Sequence, residues 1–240
     1  MEFTPIRTRT LMPPKDDLLE VLDMSLPPLQ ERDVLAIASK AVAIHEGRCV
    51  AETDPETKKR LVEEESDHII PTSTPNGWDL TVQHHMAGFA GGIDESNAGE
   101  HLILLPKEPN KSAAGIRQYL CQKYGLKELG IVITDSTGLP YRQGVIGISI
   151  GHAGFAPVKS EIGVPDLFGR SFNYTYLNVV DAIAVGAAFS MGETNESTPL
   201  CIVRDIPHIE FTDKDRSTEL LIRPEDDLFY PLLKGTYEKS

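Results

Sequence analysis

Cysteine is scarce in this 240-residue chain: Cys49, Cys121 and Cys201 are odd in number, far apart, and form no CxxC. A disulfide framework or a zinc ribbon is therefore not what holds the protein together. Basic residues are outnumbered, 23 Lys and Arg against 36 Asp and Glu, giving a formal charge of −13. Phosphate backbones are bound by clustered Lys and Arg, so this balance argues against nucleic acid as a partner. Small anionic ligands stay open, because a bound divalent cation reverses the local field. No apolar run approaches the ~18 residues of a membrane span, and the longest weakly polar stretch, Val179 to Met191, carries Asp181. The N-terminus, MEFTPIRTRTLMPPKDD, lacks the apolar core of a secretory signal. The expectation is a reduced, soluble, cytoplasmic protein with no membrane partner.

Several catalytic signatures are missing as well. There is no GxxxxGK[ST], so a nucleotide would not be held by a P-loop, and neither HExxH nor GxSxG occurs. The glycines at 144, 147, 151 and 154 lack the strand-turn-helix GxGxxG spacing of a dinucleotide site. They sit in strand-like alternation, where glycine marks plain sheet packing or close backbone approach to another strand or a ligand. His84 and His85 adjoin a strand end, and successive strand residues face opposite sides, so they make a poor chelating pair.

What is present is globular. The chain is 40% hydrophobic and 25% charged, which excludes wholesale disorder. A helix is expected at about Asp17–Ser25 and another over Asp54–Ser66, where Asp then Pro gives a start signal. Residues 33–39 read as a buried strand, with Ala41–Ile44 continuing it as a bend or second short strand. Strands are also expected at His68–Pro71, Asp79–His84, His101–Leu105, Gly130–Thr134 (ending at Asp135), Val145–Ile150 and Leu200–Val203. Ser112 can cap a helix running to Tyr124 that Gly125 ends, Asn178–Met191 is a helix packed nearly all round, and a last helix lies around Glu225–Leu233. Strands and helices do not alternate regularly, so the fold class is mixed α+β, and residues 1–240 form one catalytic unit.

Three places deliver a carboxylate from an apolar element into a turn of small residues: Gly91–Asn97 with Asp94, Ile131–Gly138 with Asp135, and Ala187–Thr194 with Glu193. Carboxylates at element ends, with hydroxyls and carbonyls beside them, are how hard divalent cations are held. Glycine lets backbone approach a ligand, and adjacent Ser and Thr supply neutral donors to phosphate. The plainer alternative is that Asp94 and Asp135 end strands as Asx-turn or cap residues. Lys40 directly follows a buried strand, where a fixed ammonium can meet a phosphate.

Read in order, these segments resemble the coenzyme F420-0:L-glutamate ligase, or γ-glutamyl ligase, family. The resemblance runs over roughly residues 33–205 through Ser39-Lys40, Glu46-Gly47-Arg48, GIDESN ending at Asn97, LLPKEPNKSA, ITDSTGLPYRQG, ISIGHAG, DLFGR and MGETNESTPLCIV. It is nearest the bacterial subgroup described as folate-metabolism γ-glutamate ligases. It implies a two-lobed, intertwined α+β homodimer in which GTP, with ATP as alternative, phosphorylates an acceptor carboxylate. L-glutamate then attacks the acyl phosphate. The acceptor is anionic, F420-0-like or folate-like. The resemblance implies two Mn²⁺ or Mg²⁺ ions, with Asp94 and Asp135 on the first and Ser136 and Glu193 on the second. It makes Asn97, Ser39, Lys40, Gly192 and Thr194 nucleotide contacts. Arg142 or Arg170 is assigned from residue type to hold the acceptor carboxylate or phosphate. One departure stands out: the family pattern has lysine where this chain has Ile44. It motivates the alternative of a non-catalytic nucleotide- or cofactor-binding protein on the same fold; a ligase for another amino acid and acid is a further alternative.

Overall fold

The computed structural model describes residues 1–51, 54–72 and 79–233. In chain order come β1 (Glu2–Ile6), α1 (Leu18–Ser25), β2 (Val34–Ala38), α2 (Ser39–Glu46), β3 (Cys49–Val50) and α3 (Pro55–Glu65). Then follow β4 (His68–Ile70), β5 (Leu80–Gln83), β6 (Met86–Phe89), β7 (Leu102–Ile103), α4 (Pro109–Tyr124) and β8 (Gly130–Gly138). The rest is β9 (Val145–Ala153), β10 (Val158–Ser160), β11 (Tyr176–Asn178), α5 (Val179–Met191), β12 (Leu200–Arg204) and α6 (Tyr230–Leu233). The architecture is mixed α+β.

The main sheet has strand order β1-β12-β2-β8-β9. Only β2 and β8 run parallel within it; β1 with β12, β12 with β2, and β8 with β9 are antiparallel. Side chains alternate between its faces. Leu35, Ile37, Ile131, Ile133, Leu200 and Ile202 pack on one face with Leu18, Val21, Leu22, Ala113, Ile116 and Leu120 of α1 and α4. Val34, Ala36, Val132, Cys201 and Val203 pack on the other with Val180, Ile183, Ala184 and Ala187 of α5. Covered on both sides, β2 reads as an unbroken apolar run. Each fully buried Leu or Ile here contributes about 1.5–3 kcal/mol.

Two glycines let the helices come this close. A Cβ at Gly147 would overlap the Ala184 carbonyl of α5, and one at Gly151 would overlap Pro109 at the start of α4. The approach these glycines permit is to helices, rather than to a strand or a ligand.

Several boundaries differ from the sequence expectation. Residues 41–44 belong to helix α2, not to a bend or second strand. Ala-rich Ser39–Glu46 closes on Gly47 at φ 72, whose N–H reaches the Ala43 and Ile44 carbonyls. Ser112 lies inside α4, which starts at Pro109 because proline suits the first helical turn. Strand β8 does not end at Asp135 but runs on to Gly138, because β9 keeps pairing with it beyond a bulge at Ile133/Thr134. The C-terminal helix is two short pieces, a 3₁₀ turn at Pro224–Asp226 and Tyr230–Leu233. His84 and His85 form the β5–β6 turn, both at positive φ.

His152 on β9 is buried beside Phe155, with ring centroids 5.6 Å apart. Burial lowers its pKa from 6.5 to about 4, against the opposing pull of Asp215, Asp181 and Glu219. The unfolded chain therefore binds this proton over a window in which the folded chain does not. Stability rises with pH from about 4 to about 6.5 and is lost, by roughly 3 kcal/mol, as pH falls through it. His152→Gln is expected to shrink the difference in urea-unfolding free energy between pH 7 and pH 4.5 by about 2 kcal/mol.

Candidate active site

A cavity of about 510 Å³ lies where β2 and α5 end, beside the second half of β8. The strand β2 stops at Ala38 and α2 begins at once, so Ala38, Ser39 and Lys40 line the cavity. No side chain caps the first turn of α2. A helix start has free N–H groups and a partial positive charge, so it favours an anion. Beside it, paired through Ala38 with Thr134, β8 brings Asp135 and Ser136 into the same wall. The bulge at Ile133/Thr134 sits directly before them and re-aims the strand end.

Asp94 arrives from the other side. Ala90, Gly91 and Gly92 all take positive φ, a left-handed turn for which two glycines are suited. Asp94 then pairs its backbone with Ile103, both N–H···O bonds being 2.9 Å. The C-terminus of α5 supplies the fourth wall. Gly192, at φ 82 and ψ 167, is in a region only glycine occupies readily, and it turns the chain into the Glu193–Pro199 loop. Asn97, itself at φ 52, donates from Nδ2 to the Thr194 carbonyl at 2.7 Å and ties this loop to the Asp94 segment.

Ser39, Lys40, Asp94, Asn97, Asp135, Ser136, Gly192, Glu193 and Thr194 thus stand around one cavity. Arg142 does not: it is exposed in the β8–β9 connection, its N–H bonded to the Leu139 carbonyl at 3.2 Å. Arg170 is also exposed and outside the cavity walls, in a turn where its N–H meets Asp166 Oδ1 at 2.9 Å. Ile44 lines the cavity from α2. Sequence reasoning missed Arg9, which lines the cavity from the segment before α1. Its guanidinium holds Asp16 with two bonds, 2.6 and 2.8 Å, and reaches Glu20 at 3.3 Å. Nothing in that irregular segment has a period that would have singled Arg9 out.

The electrostatics are uneven. Asp94, Asp135, Glu193 and Glu196 face the cavity against Arg9 and Lys40. Burial would raise the pKa of Asp94, but the Lys40 ammonium at 2.7 Å and the Ser96 N–H at 2.6 Å hold it below the usual value. Asp135 goes the other way. Burial pushes it up to about 6 and the Asp94 charge adds to this, against the Ser136 N–H, the Ser39 hydroxyl and Lys40. Ser136 Oγ donates to Glu193 at 2.9 and 3.1 Å to its two oxygens. Two aspartates, a glutamate and a hydroxyl are the hard oxygen donors that Mn²⁺ and Mg²⁺ prefer, so the donor chemistry fits. The arrangement is not yet a cage. Among the described residues no three His, Cys, Asp or Glu side chains are grouped to hold a metal ion.

The chain matches the family described as F420-0:Gamma-glutamyl ligase over residues 5–205. The chain belongs to the F420-0:Gamma-glutamyl ligase family. The match starts at the end of β1 and takes in the Arg9 segment, upstream of the residues that carry the resemblance in sequence. Among curated relatives, a coenzyme F420:L-glutamate ligase of Methanopyrus kandleri is 33% identical over 248 residues, covering 95% of this chain and 97% of its own. Enzymes of the same name from Methanococcus maripaludis and Methanothermobacter thermautotrophicus are 34% and 33% identical, each over 84% of this chain and 86% of their own length.

The raised pKa of Asp135 has a sign that can be checked. The folded chain binds this proton more tightly than the unfolded one, so the residue lowers stability as pH rises from about 4 to about 6. Asp135→Asn removes the desolvated charge and keeps the shape. Its stability at pH 7 is expected to rise by about 1–2 kcal/mol in urea unfolding.

Proposed function

We propose that the protein is a GTP- and divalent-metal-dependent ligase that joins L-glutamate to the carboxylate of an F420-0-like or folate-like acceptor, with ATP as the alternative nucleotide. The observation that carries this is the delivery of Asp94, Asp135, Ser136 and Glu193 from separate segments into one 510 Å³ cavity beside the open start of α2. That volume lies within the usual range for ligand sites. The family match and the names of the relatives support the same reaction.

In this reading the acceptor carboxylate attacks the γ-phosphorus and breaks its bond to the β-phosphate oxygen, giving an acyl phosphate and a nucleoside diphosphate. The glutamate amine then attacks the acyl carbon. Phosphate leaves with the C–O electron pair, and the amine gives up its proton as the amide forms. Asp94, Asp135, Ser136 and Glu193 would hold Mn²⁺ or Mg²⁺, which screens the charge of the phosphates. The start of α2, at Ser39 and Lys40, offers main-chain N–H groups and a partial positive charge to phosphate oxygens. Arg9, held in place by Asp16, offers a guanidinium to an anionic group at the cavity edge. Asn97 keeps the Thr194 loop closed over the same space. Arg142 lies outside the cavity walls of its own chain.

We also take residues 1–240 as one catalytic unit that works as a homodimer. Residues 159–178 contain no buried side chain, and Leu167, Phe168 and Tyr174 are at least 90% exposed. A two-stranded ribbon such as β10–β11 is marginal in water without a covering surface. Leu167→Asp with Phe168→Asp is expected to halve the mass measured by light scattering; an unchanged mass would remove the ribbon from the interface.

A second reading, a nucleotide- or cofactor-binding protein without turnover, rests on Ile44 in the cavity wall. Incubation with Mn²⁺, L-glutamate, GTP or ATP, and F420-0 or a folate separates the two. The ligase reading expects glutamylated product and phosphate in equal amounts. It also expects Asp135→Asn and Glu193→Gln to lose at least about 100-fold in kcat/KM, in the range for residues that position or stabilise transferring phosphate. Tight nucleotide binding without product in any combination would favour the second reading.

A further inference from the structure

The Lys40 ammonium is bound as a cation is bound. Its Nζ lies 2.7 Å from Asp94 Oδ2, 2.5 Å from the Ser96 carbonyl and 3.0 Å from Ser96 Oγ. A carboxylate, a main-chain carbonyl and a hydroxyl satisfy all three of its donors. The same three oxygen types make up the shell of a hard divalent ion. The remaining Asp94 oxygen is also committed, accepting the Ser96 N–H at 2.6 Å. The lysine stem is mostly covered, with the side chain 24% exposed, so the ammonium is held against Asp94 by packing as well as by charge. Across the cavity, Glu193 faces only the Ser136 hydroxyl, and no cation is paired with Glu193 or Asp135 among the described residues.

From this geometry we infer that Lys40 is a tethered competitor for the metal position on Asp94. Its ammonium fills the oxygen cradle of Asp94 and Ser96, and a divalent ion enters there only when Lys40 swings out. Two positive charges a few ångströms apart in a half-buried site repel strongly, so both cannot stay. The two ion positions then differ in kind: the one at Ser136 and Glu193 is open to Mn²⁺, and the one at Asp94 and Asp135 is guarded. This rests on the metal-dependent reading above and sharpens it by naming the residue that sets ion occupancy.

The test counts Mn²⁺ ions on the full-length protein by electron paramagnetic resonance and calorimetry, with Mn²⁺ alone and with Mn²⁺ plus GDP. Lys40→Met is expected to take up one further Mn²⁺ ion, or to bind its weakest ion about tenfold more tightly, than the unaltered protein. Lys40→Arg, which keeps the charge, is expected to behave as the unaltered protein, and Asp94→Asn added to Lys40→Met is expected to cancel the gain. Circular dichroism on each variant checks that the fold is kept. If the unaltered protein binds Mn²⁺ and Lys40→Met changes neither number nor affinity, or if the gain survives Asp94→Asn, the role of Lys40 is overturned while the metal-dependent reading stands. If neither protein binds Mn²⁺, both fall together.

Discussion

The parallel pairing of β2 with β8 is the constraint on which the site depends. Ala38, the end of β2, stands opposite Thr134 inside β8, and from that level the chain goes a different way after each. After Ala38 it turns into α2, presenting a helix start. After Thr134 it stays extended and presents Asp135 and Ser136. Because β2 and β8 are covered on both faces, a register slip of one residue would exchange Leu35 and Ile37 for Val34 and Ala36 against the wrong helices. The same packing that stabilises the sheet thus fixes how Ser39 and Asp135 meet. The site inherits its precision from the core.

The charge of −13 takes on a local meaning in that cavity. Four carboxylates and two cations face it, and the ligands proposed for it are themselves anions. The protein keeps Asp94 ionised by placing Lys40 against it, whereas Asp135 is left to the cost of desolvation with its pKa at about 6. Such a site is short of positive charge when empty. A polyanionic ligand would enter it more favourably with a cation than without one, so the acidity of the walls is compatible with the metal-dependent ligase proposed above.

How much of this was legible in sequence depended on how local the cause was. The three carboxylate turns could be read because each is a short run of glycine and small polar residues after an apolar element, and all three meet at the cavity. The helix Pro55–Glu65 and the ending of α4 at Gly125 were legible for the same reason, since caps are local. Helix α2 was not. Its residues Ala41–Ile44 are as apolar as the strand before them, because both are buried, and hydrophobicity alone cannot tell a buried helix from a buried strand. Arg9 and Arg142 contrast in what sequence shows of them. Arg9 lines the cavity from an irregular segment and is paired with Asp16 seven residues on, while Arg142 belongs to a motif-rich stretch and lies in the β8–β9 connection, outside the cavity walls. In both cases position is decided by tertiary pairing that leaves no periodic trace.

Ile44 and Lys40 are best understood together. They are four residues apart on α2, so they lie on one face of the helix, and both line the cavity. A lysine at position 44 would bring its charge from one turn, about 5.4 Å, further along the axis, away from the carboxylates. With Ile44 there, that place joins the core packed around Leu11, Ala41 and Ile103. The positive charge instead stands at the first turn, within hydrogen-bond reach of Asp94. A helix start that welcomes phosphate and an ammonium that answers Asp94 therefore occupy the same few residues, and a ligand entering this cavity has to rearrange the second to use the first.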